Sequence, residues 1–207
     1  MNLSLLPGTE VGIVDDLCKP KDVAELYEFL LWADTNKFQL NTANDDDQSM
    51  MDEQLSKEEK GSHIDNWALR NYSLELYPSR YEGIVRLEVE AKANKAFVEY
   101  LRLFGREEEA FRPITLTTFH VLKGGDEIEA HIDCFEFGIV YYLNQTEDTQ
   151  GGDLRFIDQD IYLPFKANRM LIIPSNIEHE VTPVLQGRRF SSTDFVPMGD
   201  DWSSRTI

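Results

Sequence analysis

From Pro113 to Val196 the chain reads as seven short apolar runs: ITLTTFHVL, EIEAHID, FGIVYYLN, DLRFI, RMLIIP, HEVTPV and RRFSSTDFV. Turn residues part them, notably Gly124-Gly125, Gly151-Gly152, Pro174-Ser175-Asn176 and Gly187. Glycine takes up backbone angles closed to other residues and proline fixes its own, so such pairs end strands. None of the runs is followed by a helical period long enough to carry the chain back across a parallel sheet. That leaves a sandwich or jelly-roll barrel of antiparallel strands, a mainly β (α+β) fold.

Before Pro113 the texture differs. VGIV at 11–14 reads as a short strand, and after Pro20 the residues Val23, Leu26, Tyr27 and Leu30 recur at helical spacing. A second helix carries Ala93, Ala96, Phe97, Tyr100, Leu101 and Phe104 on one stripe and stops at Gly105. Both helices are expected to pack on one sheet. Between them, Asn41 to Ser62 is acidic and without period, which predicts a mobile loop over 41–66, or a lid that covers a substrate. Asp45-Asp46-Asp47 does not open a calcium loop, because Met50 stands where that loop needs glycine and Ser56 where it needs glutamate. Trp67 to Tyr81 is aromatic-rich, with Tyr72, Leu74 and Leu76 alternating as in a half-buried strand. The 207 residues form one structural domain on this reading: an N-terminal helix-and-strand extension over 1–111 packed on a β core over 112–207.

A net charge of −18 repels phosphate backbones and anionic lipid, which argues against nucleic-acid or membrane partners. No apolar run approaches the length that spans a bilayer, and MNLSLLPGTEVG lacks the basic start of a secretory signal. Two cysteines, Cys18 and Cys134, do not suggest a disulfide framework, and a reducing cytoplasmic setting is expected. The oligomeric state is not readable.

Four histidines occur, and two of them stand in a pattern with chemical meaning. In H131-I-D133 the ligand-bearing side chains are two residues apart, so on a strand they point the same way. His179 opens a later strand that a jelly roll can fold back against the first. Two imidazoles and one carboxylate on one face of a metal leave its other positions open, the arrangement of non-haem Fe(II) oxygenases. Ten residues after His179 stands Arg189, whose planar fork can hold a carboxylate bidentately. The hairpin through Gln186-Gly187 could bring it into the same cavity, with its neighbour Arg188 facing outward. His63 is read as exposed, His120 as a structural histidine in a strand, and Cys134 as a small buried hydrophobe.

With these residues in hand, the chain resembles the Fe(II)/2-oxoglutarate dioxygenases, and within them the prolyl-4-hydroxylase-like branch. The likeness runs over about 112–196: Gly125, H131-I-D133, Y142-L-N144, G151-G-D-L-R-F156, N168-R-M-L-I-I-P-S175, H179-E-V-T-P-V and R189-F190. It implies a double-stranded β-helix, with Fe(II) on His131, Asp133 and His179, and Arg189 holding the distal carboxylate of 2-oxoglutarate. Tyr142 matches a tyrosine that hydrogen-bonds this co-substrate in relatives, a role compatible with a core aromatic. Thr193 falls where some members place a further co-substrate hydroxyl, or is an ordinary strand threonine. Relatives often have a tyrosine about ten residues before the first histidine. Val121 and Leu122 stand in that region here, so the contact is lost or comes from the neighbours of Phe119 or another strand. Phe195 replaces a common tryptophan and is read as core packing.

The activity implied is hydroxylation of an unactivated C–H, with O2 consumed, 2-oxoglutarate converted to succinate and CO2, and ascorbate as activator. Branch membership points to a prolyl residue in a peptide or protein. The alternatives are a free amino acid or other small molecule, or a non-catalytic 2-oxoglutarate- or metal-binding jelly roll.

Overall fold

Continuous apolar runs such as FGIVYYLN and RMLIIP have no polar face, so strands built from them must be covered on both sides. The computed structural model, which describes residues 2–35, 59–60, 62–65, 80–107, 118–133 and 135–196, shows how this is done. Numbered in chain order, a seven-stranded sheet runs β1 (Asn2–Leu5), β2 (Gly12–Asp15), β11 (Arg169–Pro174), β7 (Phe137–Gln145), β14 (Arg188–Val196), β5 (Thr118–Lys123) and β4 (Ser62–Asp65). A five-stranded sheet runs β10 (Ile161–Leu163), β9 (Leu154–Phe156), β12 (His179–Val181), β6 (Glu127–His131) and β3 (Glu59–Lys60). β13 (Val184–Gln186) and β8 (Gln150–Gly151) form a separate two-stranded ribbon. Paired strands are antiparallel throughout. The expected mainly β double-stranded β-helix with helices on one sheet is what forms.

Strand alternation sorts the larger sheet into two cores. Ile139, Tyr141, Leu143, Met170, Ile172 and Phe190 turn toward helices α1 (Pro20–Thr35) and α2 (Arg80–Leu103). There they meet Val23, Leu26, Ala93, Phe97, Tyr100 and Leu101, the stripes expected of the two helices. Their alternates, among them Tyr142, Leu171 and Ile173, turn inward to Leu154, Phe156 and Val181 of the smaller sheet. α2 ends where Gly105 takes a φ of 66°, a left-handed value that costs glycine nothing and lets Arg106 N–H donate back to Leu101 at 3.0 Å. Neither described helix is long and apolar enough to cross a membrane.

Several details differ from the sequence reading. Residues 59–60 and 62–65, read as part of the loop, are edge strands: β3 pairs with β6, and β4 with β5. β6 stops at His131 rather than running on to Asp133. HEVTPV divides into β12 and β13 at Pro183, which has no N–H to give a ladder. α2 starts within the aromatic segment read as extended, with Tyr81 already helical. β1 extends the major sheet beyond β2, so the N-terminal residues are part of the barrel wall. The strand expected at Tyr72–Leu76, most of the 41–66 segment and Cys134 lie outside the described residues.

Candidate metal centre

β6 and β12 are neighbours, and their register sets His131 directly across from His179. The two rings consequently stand 4.5 Å apart, centroid to centroid. Asp133, just past the end of β6, brings Oδ1 to 3.6 Å from His131 Nε2 and Oδ2 to 4.0 Å from His179 Nε2. One donor atom from each residue falls within a sphere where all three lie no more than 4.8 Å apart.

The imidazoles are oriented as well as gathered. His131 Nδ1 lies 2.7 Å from the Glu129 carbonyl, and His179 Nδ1 2.9 Å from that of Ile177. A carbonyl only accepts, so each Nδ1 carries the proton and donates it. That leaves both Nε2 atoms, which face Asp133, as the ring nitrogens through which a metal would be ligated. Burial pushes the pKa of His179 down, against the opposing pull of Asp133, which keeps the ring neutral and able to ligate. Space for the carboxylate is provided by Gly138 on β7, where an added Cβ would come within 2.4 Å of Asp133 Oδ2. Two imidazoles and one carboxylate, with no thiolate, fit Fe(II) and would leave part of the ion's surface open.

Arg189 lies in the same cavity and is only 2% exposed. Its Nη1 donates to the Gly152 carbonyl at 2.7 Å, and its guanidinium stands 4.9 Å from the centre of the Tyr142 ring and 5.4 Å from that of Phe165. Among the described residues its Nε and the Tyr142 hydroxyl, both buried, have no hydrogen-bond partner by distance and angle, and no carboxylate is within ion-pair distance of Arg189. Burial lowers the Arg189 pKa, opposed by Tyr142, and raises that of Tyr142, opposed by Arg189. A buried cation without a counter-charge costs several kcal/mol. The arrangement is relieved by an anion that enters from the cavity and offers acceptors to both orphaned groups.

The other sequence-selected residues distribute as follows. Tyr142 and Thr193 line the cavity, and Arg188 does not. Phe195, read as core packing, also lines it and stacks on Phe135 with ring centres 4.6 Å apart. His120, read as structural, is a lining residue too, whereas Val121 turns into the helix-facing core. Strand alternation held the signal: His120 shares the barrel face with Leu122. Phe165, packed 4.6 Å from the Tyr142 ring, sits in a loop and leaves no trace in the pattern. The backbone of His63 pairs with that of His120.

Residues 117–196 match the profile of the 2OG-Fe(II) oxygenase superfamily. No curated protein matches the chain. Among solved structures, a Pseudomonas putida prolyl-4-hydroxylase superimposes with a TM-score of 0.61 at 16% identity, over 94% of this chain and 96% of its own. A prolyl hydroxylase from Trichoplax adhaerens, solved with a hypoxia-inducible-factor peptide, gives 0.59 at 15% identity over 96% and 89%. The viral collagen prolyl hydroxylase of Paramecium bursaria Chlorella virus-1, solved with 2-oxoglutarate, gives 0.56 at 13% identity over 93% and 98%. At such identities the likeness is one of fold. Residues 117–196 are thus similar to the 2OG-Fe(II) oxygenase superfamily, and the chain shares its fold with solved prolyl-4-hydroxylases.

Proposed function

We propose that the protein is an Fe(II)- and 2-oxoglutarate-dependent hydroxylase acting on an unactivated C–H, with a prolyl residue of a peptide or protein as substrate. The observation that carries this reading is one cavity that joins a three-donor face to a buried arginine with no carboxylate partner among the described residues. His131, Asp133 and His179 would hold the metal. When bound, Fe(II) with 2-oxoglutarate supplies the oxidation of C–H by O2, with succinate and CO2 released.

This chain's own residues prepare for that chemistry by position. Arg189 is the cation for the distal carboxylate, and the Tyr142 hydroxyl a second donor to it. Thr193 offers a further hydroxyl on the same wall. Ile128, Val140, Leu154 and Val181 give the cavity an apolar lining that keeps bulk water away from the reacting atoms. Substrate class is supported by the fold alone, one neighbour having been solved with a peptide.

The test is succinate release from 2-oxoglutarate with Fe(II), ascorbate and O2, in the presence of proline-containing peptides or of free amino acids. Stimulation by peptides is expected, and the modified residue follows from mass spectrometry. Stimulation by amino acids alone replaces the peptide with a small molecule. Loss of succinate in His131→Ala and Asp133→Ala is required, and its persistence would sink the assignment. Iron-loaded protein that releases no succinate under any condition is a binding module instead.

A further inference from the structure

Two of the three proposed metal ligands are fixed by a strand ladder, and the third is not. His131 ends β6 and His179 opens β12, and the pairing of these strands sets where both rings stand. Asp133 lies past the end of β6, on the short crossover that carries the chain from the smaller sheet to β7 of the larger one. Its side chain is only 8% exposed, yet its backbone belongs to no strand. A loop moves more easily than a ladder, so a ligand on a crossover keeps its place only if the crossover is anchored.

The anchors follow directly after it. Phe135 stacks on Phe195 of β14, with ring centres 4.6 Å apart and planes 23° from parallel. Glu136 N–H donates to the Val196 carbonyl at 2.8 Å, and the Glu136 carbonyl accepts from Ser175 N–H at 3.0 Å. The Glu136 carboxylate pairs with the guanidinium of Arg106, which also stands 5.1 Å from the centre of the Phe137 ring. Arg106 follows the left-handed Gly105 that ends α2, so this ion pair ties the helix layer to the crossover. The stack reaches the ligand itself. A Cβ on Gly138 would lie 2.4 Å from Asp133 Oδ2 and 3.9 Å from Phe195 Cε1, which puts the Phe195 ring beside the carboxylate.

We propose that Phe135, acting through Phe195, and Arg106, acting through Glu136, are positioning residues that hold the Asp133 carboxylate where a metal meets it. The inference rests on the metal assignment above and adds two residues that lie outside the cavity lining. The stack is the stronger of the two holds, because the ion pair is partly exposed and screened by solvent.

The experiment is an anaerobic Fe(II) titration of the full chain, with a melting curve of the metal-free protein. The variants are Phe135→Leu, Phe135→Tyr, Arg106→Glu, Glu136→Arg and the double exchange of the last two. Leucine keeps an apolar side chain without the stack, and tyrosine keeps the ring. Phe135→Leu is expected to weaken Fe(II) about tenfold, and Phe135→Tyr to stay within about twofold of wild type. Each charge reversal should weaken Fe(II) about threefold, and the double exchange should restore most of that loss. The reversals also separate position from charge in protein whose core is untouched. A field acting through space on a cation would raise affinity in Arg106→Glu and lower it in Glu136→Arg, whereas a displaced carboxylate lowers both. Unchanged affinity in Phe135→Leu, or an equal loss in Phe135→Leu and Phe135→Tyr that follows the melting temperature, overturns the role of Phe135. Reversals that move in opposite directions, or that the exchange does not rescue, overturn the role of Arg106. Wild type that binds no Fe(II) overturns the metal assignment and this inference with it.

Discussion

The hydrogen that Gly138 carries in place of a side chain is what lets Asp133 reach the two imidazoles. Gly138→Ala would set a methyl group 2.4 Å from Asp133 Oδ2, a contact neither can tolerate, and the backbone of a strand paired on both sides cannot yield. The expected result is a fall of tenfold or more in Fe(II) affinity, read by metal titration, in protein that still folds. Unchanged metal affinity would mean that Asp133 is not held as a ligand. Arg189 makes the opposite case. Arg189→Met replaces a buried cation that has no counter-charge among the described residues by an apolar chain of similar length, which removes the desolvation cost of the charge. The melting temperature without ligand should hold or rise while 2-oxoglutarate binding falls about a hundredfold. A destabilised variant would show that the guanidinium contributes to folding through the Gly152 carbonyl and the two rings. At this scale the proposed metal ligands and Arg189, which the fold gathers into one cavity, are legible in the sequence, because a metal and a carboxylate each demand particular donor types. Gly138 and Phe165 are not, since their contribution is space and shape, which only the packed fold defines.

Elements are legible in proportion to their length and to how fully they are covered. β7 and β11 are buried on both faces, so their sequences are almost wholly apolar and leave little choice of structure. β3 and β8 have two residues each and β10 has three, too few to display a period. β4, SHID, lies in an acidic surrounding that outweighs its single isoleucine, and only pairing with β5 makes it a strand. At the other border, β2 is tied to β11 by more than its ladder. Arg169 grips Asp15 at 2.6 and 3.0 Å, and Lys166 adds a contact at 3.0 Å. The Arg169 hydrogen bond holds the Asp15 carboxyl below its ordinary 3.8, although burial opposes it. A carboxyl whose pKa is lowered by folding adds stability above its unfolded value and loses it as pH falls through the folded one. Asp15→Asn should therefore lower the melting temperature by no more than about 3 °C at pH 7, since half-exposed ion pairs contribute about 1 kcal/mol or less. The difference from wild type should shrink as the pH drops below 3.8 and vanish once the folded carboxyl is protonated. A gap that stays constant with pH would place the effect in packing rather than charge.

At the scale of the whole molecule, one sheet separates two tasks. Its helix-facing side carries packing among Phe97, Tyr100, Phe137 and their neighbours, and its barrel-facing side carries the site. Whether stability and chemistry are separable is decided by how stiffly the sheet transmits strain. Gly12 on β2 is a place to ask, because an added Cβ would meet the Tyr100 ring at 2.7 Å and Ile172 at 3.3 Å. That ring cannot swing away. Its hydroxyl donates to the Glu10 carbonyl at 2.9 Å, and Phe137 meets it edge-on with ring centres 5.8 Å apart. Gly12→Ala therefore overpacks the helix layer, at a cost of about 2 kcal/mol or a fall of about 4–8 °C in melting temperature. Two strands, β11 and β7, lie between Gly12 and β14, which carries Arg189. If the ladder absorbs the displacement, Fe(II) and 2-oxoglutarate affinities stay within about twofold of wild type despite the lost stability. A parallel loss of both would show that the helix layer holds the cavity in shape, and that α1 and α2 belong to the site as much as to the core.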